Sequence, residues 1–262
     1  MIQVICCFVT FFACCIGTIC GMGGGIIIKP VLDATGVMTV STITFLSGCT
    51  VIAMTCWSVG KTLIQGESVI DIKNTTFLAI GAAVGGIAGK QLYSATASQF
   101  ADPDTAGGVQ AACLLLATLA TFIYTINKDK IKSKQTNSPA VSVLIGLVLG
   151  ILGAFLGIGG GPFNVAVLYY FFSMQTKKAT QNSLYIVLFS QAASTFKTMA
   201  FNGIPDFNIS LLVFMMMFGI IGSEIGRRIN KKIDDNQATR LFEGAMILIM
   251  CINIYNIINF LI

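Results

Sequence analysis

Long apolar runs limit what this sequence can fold into. Eight apolar runs have 13 to 19 residues, and most of them lie near the length of about 18–20 residues that spans a bilayer. They are Val4–Cys20, Thr42–Gly60, Thr75–Gly89, Gln110–Ile126, Val141–Leu156, Leu184–Phe196, Ile209–Ile221 and Met246–Ile262. Only 10% of the residues are charged, whereas a soluble domain carries about a quarter. The sequence therefore excludes a soluble protein and predicts an all-α integral protein that crosses the inner (plasma) membrane of the cell many times. Membrane lipid is an expected partner, and nucleic acid is not.

We expect the first apolar run to remain in the mature protein. Lys29 is the first charged residue, so the basic segment that opens a cleavable signal peptide is missing. The chain has no histidine, which removes the usual imidazole bases and ligands. The sequence predicts no enzyme activity, no catalytic residue, no metal site and no cofactor.

Nine cysteines are present, five of them in the first apolar run, and none forms a CxxC pair. We interpret them as small apolar packing residues within helices. The alternative is a soft thiol lining for a sulfur-containing substrate, or a redox pair.

The sequence repeats itself at an offset of 136 residues. Gly21-Met-Gly-Gly-Gly25 falls on Gly157-Ile-Gly-Gly-Gly161, and Lys61-Thr62 falls on Lys197-Thr198. Such self-similarity indicates an internal duplication. We predict a first transmembrane repeat over residues 1–127, a cytoplasmic linker over 128–139 and a second transmembrane repeat over 140–262.

Each repeat contains a glycine-rich break early in its length. The break is followed by a short apolar stretch, Ile26–Met38 in one copy and Pro162–Met174 in the other. A helix of about 13 residues covers about 20 Å, which is less than the hydrocarbon core of about 30 Å. Adjacent glycines interrupt a helix, and exposed backbone at membrane depth must line a cavity or be buried in protein. Each repeat is therefore predicted to open with a GxGGG-broken or re-entrant helical hairpin, followed by three transmembrane helices.

The distribution of basic residues decides between two topologies. If the repeats were parallel, the 16 Lys and Arg would divide seven against nine. If the break turns the chain and inverts the second repeat, 13 of them share one side, and only Lys29, Lys90 and Lys197 oppose them. Thirteen against three is the bias that the positive-inside rule requires. We therefore predict inverted repeats, with the linker in the cytoplasm and both termini outside.

Matched polar residues form a stripe on one helix of each repeat. Ser47, Val51, Ser58, Lys61 and Thr62 fall within an arc of about 100° on a helix, as do their counterparts in the second repeat. Lipid cannot satisfy such a stripe, so it must face protein or water. The candidate substrate-binding residues are Gly23, Gly24, Gly25, Ser47, Ser58, Lys61, Gly159, Gly160, Gly161, Asn164, Asn182, Ser183, Gln191, Ser194 and Lys197.

The two GxGGG breaks, together with Lys178-Ala-Thr-Gln-Asn-Ser-Leu184, resemble the sulfite exporter TauE/SafE family of membrane permeases. The resemblance covers essentially the whole chain. It implies export or uptake of small sulfur-containing anions such as sulfite, sulfonates or related organic anions. The sequence departs from the family pattern in two places. The stretch Ile43-Thr-Phe-Leu-Ser47 keeps the serine but loses the preceding threonine, and Asn182 precedes Ser183 where threonine is usual.

The function predicted is transport of small anions, bound near the membrane midplane between the repeats. Lys61 and Lys197 are cationic, while the carboxylates expected near spans are Glu224 and Glu243. The alternatives are a channel-like facilitator of a small solute, a cysteine-based membrane oxidoreductase, and a scaffold or insertion protein without a substrate.

Overall fold

The computed structural model describes residues 2–66, 70–100, 103–136 and 138–261. Ten α-helices form in this part of the chain. They are α1 (Ile2–Cys20), α2 (Gly25–Asp33), α3 (Val40–Ile64), α4 (Ile72–Ala97), α5 (Pro103–Asn127), α6 (Pro139–Phe155), α7 (Pro162–Phe172), α8 (Thr176–Lys197), α9 (Ile209–Lys232) and α10 (Asp235–Leu261). A 3₁₀ turn (Lys128–Lys130) follows α5, and a π turn (Thr198–Asn202) follows α8.

The prediction of an all-α integral membrane protein is confirmed. Five helices, α1, α3, α5, α9 and α10, are long and apolar enough to cross a bilayer. The helices α4 and α8 are of similar length, with 26 and 22 residues, but carry more polar side chains. Many of those polar side chains are buried against neighbouring helices, so these two helices lie largely inside the bundle.

The short helices are shorter than the apolar stretches predicted for them. α2 has nine residues and α7 has 11. α2 stops at Asp33, and the chain then turns through Gly36, whose φ is +61°. α7 stops where Ser173 adopts a left-handed conformation with φ of 50°. The polar linker caps it, because the backbone N–H groups of Lys134 and Thr136 donate to the last carbonyls of α7, those of Tyr170 (2.7 Å) and Phe171 (2.8 Å).

The repeated polar helices α3 and α8 cross in opposite directions. Gly48, in the first half of α3, faces Gln191 in the second half of α8. At the other end of α3, Thr62 Oγ1 lies 3.5 Å from Oε1 of Gln181, near the start of α8.

The helices α5, the last of α1–α5, and α10, the last of α6–α10, are also antiparallel. A Cβ at Gly107, near the start of α5, would lie 3.3 Å from the ring of Phe260, at the end of α10. Just past the end of α5, Lys128 Nζ donates to Thr239 Oγ1 near the start of α10 over 3.2 Å. The helices of each of these two pairs therefore run in opposite directions.

Glycines bring two parallel helix pairs into close contact. On α4, the residues Gly81, Gly85 and Gly89 lie directly against backbone carbonyls of α6, where an added Cβ would overlap. Gly222 and Gly226 of α9 do the same against α1. Small residues at such spacing let helix backbones approach closely in a membrane.

The cysteines of α1 contribute to this packing. Cys15 presents its backbone to both Gly222 and Gly226, and Cys14 is fully buried beneath Gly24. All nine thiols are free. A buried thiol at Cys14 and a partly buried one at Cys15, both in a helix interface, agree with the interpretation of these two cysteines as packing residues.

The contact between α4 and α6 predicts a difference between two glycines. Gly85→Ala should lower the stability of the purified protein by about 1–3 kcal/mol, because the methyl group would meet the carbonyl of Leu147. Gly60→Ala is the matched control: Gly60 lies within α3 and has nothing within 4 Å of an added Cβ. Thermal unfolding in detergent measures both. A Gly85→Ala protein that melts like the Gly60→Ala protein would contradict the close contact.

Candidate functional site

The two glycine breaks share one backbone geometry. Gly21 and Gly23 have φ angles of +71° and +72°, and Gly157 and Gly159 have +71° and +70°. These left-handed conformations are readily adopted only by glycine. In each break, the residue after the first glycine donates its N–H back to the preceding helix, from Met22 to Gly17 and from Ile158 to Gly153, both over 3.0 Å.

Each break folds the chain back onto the helix that precedes it. A Cβ at Gly17 would lie 2.6 Å from the carbonyl carbon of Gly23, and one at Gly24 would lie 2.6 Å from Cys14 Sγ. In the second break, a Cβ at Gly153 would lie 2.9 Å from the carbonyl carbon of Gly159. The short helices α2 and α7 therefore start inside the bundle, where the chain reverses.

The two breaks meet where α3 and α8 cross. A Cβ at Gly23 would lie 3.4 Å from Val187 of α8 and 3.7 Å from Val51 of α3. A Cβ at Gly25 would lie 3.0 Å from the carbonyl oxygen of Ile158, in the other break. On the opposite side, Gly160 lies directly against Val187. Val51 and Val187 are both fully buried and occupy the space between the breaks.

Polar side chains surround this meeting point. Ser183 donates a 2.5 Å hydrogen bond to the carbonyl oxygen of Gly21. Ser47 lies beside Gly25 and is fully buried. Asn164, in the first turn of α7, is 1% exposed, and its amide nitrogen lies beside Gly160. Within the described ranges, Ser47 Oγ and Asn164 Oδ1 have no hydrogen-bond partner.

Gln191 of α8 reaches the second break. Its Oε1 lies against Gly159, where an added Cβ would overlap it, and its amide nitrogen is 3.2 Å from Thr195 Oγ1. The structure therefore brings ten of the predicted site residues to one region. They are Gly23, Gly24, Gly25, Ser47, Gly159, Gly160, Gly161, Asn164, Ser183 and Gln191.

Three other predicted site residues lie away from the meeting point of the breaks. Ser58 and Ser194 are buried, but each lies seven residues along its helix from the central valine, which is about 10 Å. Asn182 is bound to α4: its Oδ1 accepts from the Asp71 N–H (2.9 Å) and the Thr75 hydroxyl (2.5 Å). Asn182 thus holds the start of α4.

The two predicted lysines lie at opposite ends of the α3–α8 crossing. Lys61 Nζ is 3.1 Å from Oε1 of Glu224 and 5.2 Å from the ring centroid of Trp57. Lys197 Nζ lies 4.0 Å from the ring centroid of Phe201. Neither lysine is at the meeting point of the breaks.

Glu224 is the centre of an ionic network around Lys61. It also accepts hydrogen bonds from Arg227 (3.1 and 3.2 Å), Arg228 (2.8 Å) and the Trp57 ring nitrogen (3.1 Å). The carboxylate therefore has four donors, three of them cationic.

A buried ion pair that sequence reasoning missed lies in α2. Lys29 Nζ is 2.6 Å from Asp33 Oδ2, and each side chain is 4% exposed. Glu224 and Glu243 lie in the spans α9 and α10, but sequence reasoning did not consider Asp33, which is more deeply buried than Glu224. The signal was present: a Lys and an Asp four residues apart face each other on a helix, and this pair lies in an otherwise apolar stretch.

A polar cleft of about 710 Å³ opens beside the ends of α5 and α7 and the start of α10. Lys128, Tyr169, Asp235, Arg240 and Glu243 are among its lining residues. At the repeat offset of 136, Tyr169 is the counterpart of Asp33. One lining residue of the cleft therefore corresponds in the sequence repeat to the carboxylate of the ion pair.

Comparisons with known proteins agree with this architecture. The sequence profile of the family described as "Sulfite exporter TauE/SafE" matches residues 6–254. The chain is 24% identical over 266 residues to the "Probable membrane transporter protein YunE" of Bacillus subtilis (strain 168), covering 92% of this chain and 93% of that protein. No solved structure matches the chain. Because the family profile spans nearly the whole sequence, the chain belongs to the sulfite exporter TauE/SafE family of multi-pass membrane transporters.

Proposed function

We propose that this transporter carries small sulfur-containing anions, such as sulfite, sulfonates or related organic anions, and binds them where the two glycine breaks meet. The single observation that carries the proposal is the convergence of two helix N-termini on that point. α2 begins at Gly25 and α7 at Pro162, directly after their breaks.

Converging helix N-termini favour an anion for a physical reason. The first N–H groups of a helix have no intrahelical partner, and the aligned peptide dipoles place about half a positive charge at that end. Such ends bind anions, and transporters aim half-helix ends at anionic substrates near the midplane. Ser47 can donate its hydroxyl hydrogen, and Asn164 can present its amide nitrogen after a rotation of the amide group.

We propose that residues 1–127 and 140–262 are two repeats inserted with opposite orientations, each opened by a re-entrant hairpin. The antiparallel contacts of α3 with α8 and of α5 with α10 support this topology. Following the helix directions, 13 Lys and Arg lie on the side of the 128–139 linker, and Lys29, Lys90 and Lys197 lie on the other. The positive-inside rule then places the linker in the cytoplasm.

The orientation bears on the direction of flux. A negative cell interior expels each negative charge with about 2.3 kcal/mol per 100 mV. An anion carrier without a coupling ion therefore favours export. The polar cleft beside Lys128 and Arg240 lies on the linker side, so the substrate would approach from the cytoplasm past these cations.

The central site is closed in this structure. Val51 and Val187 are fully buried between the breaks, so transport requires them to separate. Saturable flux with exchange stimulation is the expected behaviour of a carrier that closes in this way. A channel-like facilitator would show neither.

The breaks predict a measurable effect of backbone conformation alone. Gly23→Ala adds a methyl group in ordinary contact distance of its neighbours, but forces an L-residue to φ of +72° at a cost of about 1–2 kcal/mol. We expect sulfite counterflow into proteoliposomes to fall roughly tenfold, because this strain shifts the break away from the backbone conformation that transport requires.

The matched control is Gly66→Ala. Gly66 has φ of +66°, lies in the exposed turn after α3, and has nothing within 4 Å of an added Cβ. It carries the same backbone strain outside the site and should leave counterflow unchanged. Equal rates in the two variants would remove the breaks from the transport path, and wild-type protein without sulfite or sulfonate counterflow would contradict the proposed substrate class.

Lys61 and Lys197 are proposed to attract the anion toward the centre from opposite sides. Lys→Met keeps much of the apolar stem and removes the charge, so the double variant should raise the apparent KM for sulfite roughly threefold to tenfold. The single variants should show smaller effects, and Lys61→Arg should retain function. Initial rates over a range of sulfite concentration measure this, and wild-type kinetics in the double variant would exclude both lysines.

A further inference from the structure

The ion pair of α2 is part of a larger buried cluster. Lys90 of α4 is 8% exposed, and its Nζ lies 5.3 Å from the ring centroid of Tyr93. Lys90 interacts electrostatically with Lys29, and Tyr93 with Asp33. Asp33 contributes Oδ2 to the ion pair, and its Oδ1 has no hydrogen-bond partner within the described ranges. In the part of the chain that the structure describes, the cluster therefore holds two ammonium groups, of which Lys29 pairs with the carboxylate, and one oxygen of that carboxylate is unused.

This cluster lies against the second glycine break. A Cβ at Gly157 would lie 3.0 Å from Lys29 Cε and 3.2 Å from the methyl carbon of Thr44. On the other side of α2, Asn256 of α10 donates to the carbonyl of Pro30 over 2.9 Å. The titratable groups around the pair are therefore Lys29 on the helix of Asp33, Tyr93 of α4, which faces Asp33, and Lys90 of α4, which faces Lys29, while α3 and α10 contribute neutral side chains.

Asp33 is close to water on the side opposite the linker. It is the last residue of α2, and the chain is exposed from Thr35 to Val37. A proton can therefore reach the carboxylate from the outer side over a short distance, while the ammonium of Lys29 lies one helical turn deeper.

The charge of the cluster suggests what it can bind. Lys29, Lys90 and ionised Asp33 sum to +1, and buried charge in a membrane is costly unless it is paired. If Asp33 takes up a proton and a monovalent anion joins Lys29, the sum is again +1. The exchange therefore leaves the buried charge unchanged and gives Lys29 one anionic partner in both states, whereas an anion that joined Lys29 without the proton would lie against the ionised carboxylate of Asp33.

We propose that Lys29, Asp33 and Lys90 form an outer anion subsite in which the transported anion replaces the Asp33 carboxylate as the partner of Lys29. Asp33 takes its proton from the outer water when the anion arrives from the breaks, and returns it to the outer water when the anion leaves. The re-formed Lys29–Asp33 pair then closes the subsite behind the released anion. This subsite rests on the proposed anion transport, and the proton does not cross the membrane.

The linkage between proton binding at Asp33 and anion binding sets the direction in which anion affinity changes with pH. One proton is bound together with each anion, so anion affinity must rise as outer pH falls, by up to about tenfold per pH unit. Asp33→Asn mimics the protonated carboxyl group and should bind the anion well at every pH. Lys90 could produce the same trend by losing its own proton at high pH, and Asp33→Asn separates the two, because this variant keeps Lys90.

The experiment measures the KM for uptake of methanesulfonate and of sulfite from the outer face of proteoliposomes between pH 5.5 and 8.5. Methanesulfonate stays ionised throughout this range. For sulfite, both proteins meet the same mixture of ionic forms at each pH, so the ratio of their KM values reports the protein alone. We expect a KM that rises with pH in the wild type and in Asp206→Asn, an exposed outer carboxylate, and a low, constant KM in Asp33→Asn.

The outcomes are distinct. A KM that rises equally with pH in the wild type and in Asp33→Asn overturns the subsite and leaves the proposed function intact. A wild type that carries neither probe overturns the proposed function and the subsite with it. If Asp33→Asn does not fold, Lys29→Met/Asp33→Asn keeps the net charge of +1 and should give a KM at least fivefold above the wild-type value at pH 5.5, independent of pH. Wild-type KM values in that double variant would overturn the subsite.

Discussion

The structure depends on one constraint: non-helical backbone cannot be exposed to lipid. Two glycine breaks interrupt helices inside a membrane protein, so each must be enclosed by other helices. α3 and α8 cross directly over the breaks. The helices that precede the breaks are α1 and α6, and they are held in place by backbone contacts with α9 and α4, respectively. The glycines at those contacts allow the helices to pack closely, and the glycines at the breaks allow the chain to reverse. Together they enclose a polar centre within closely packed helices.

The two faces of the bundle carry related but unequal ionic clusters. Lys90 and Arg227 are matched by the sequence repeat, and both are buried near the ends of α4 and α9. On the linker side, Glu224 is surrounded by Lys61, Arg227 and Arg228. On the outer side, Asp33 is paired with Lys29 alone among the described residues. A carboxylate with several cationic partners is firmly held, whereas Asp33 depends mainly on Lys29, which makes the outer cluster the easier one to exchange for a substrate anion.

Hydropathy and self-similarity predicted much of this fold because both are properties of the chain alone. Lipid demands apolar spans, and two copies of one glycine motif mark equivalent breaks. The sequence also indicated that Ser47 and Ser183 face protein or water, since they lie at matching positions of the two polar stripes, which lipid cannot satisfy. It could not show that Asn182, on the same helix, is bound to the start of α4, because that partner comes from a distant segment. The Lys29–Asp33 pair was missed because the apolar stretch after the first break was interpreted from its length alone, and not from the two charges within it.

Ser47 offers the most direct test of an anion site at the meeting point of the breaks. Its hydroxyl is fully buried without a partner among the described residues, so Ser47→Ala should not destabilise the protein. A hydrogen bond to a charged group contributes about 1.5–3 kcal/mol, and sulfite binding measured by titration calorimetry should therefore weaken at least about tenfold in this variant. Ser142→Ala, which removes a buried hydroxyl that bonds within α6, should bind sulfite as the wild type does. Equal sulfite affinity in Ser47→Ala and the wild type would contradict a binding site where the two breaks meet.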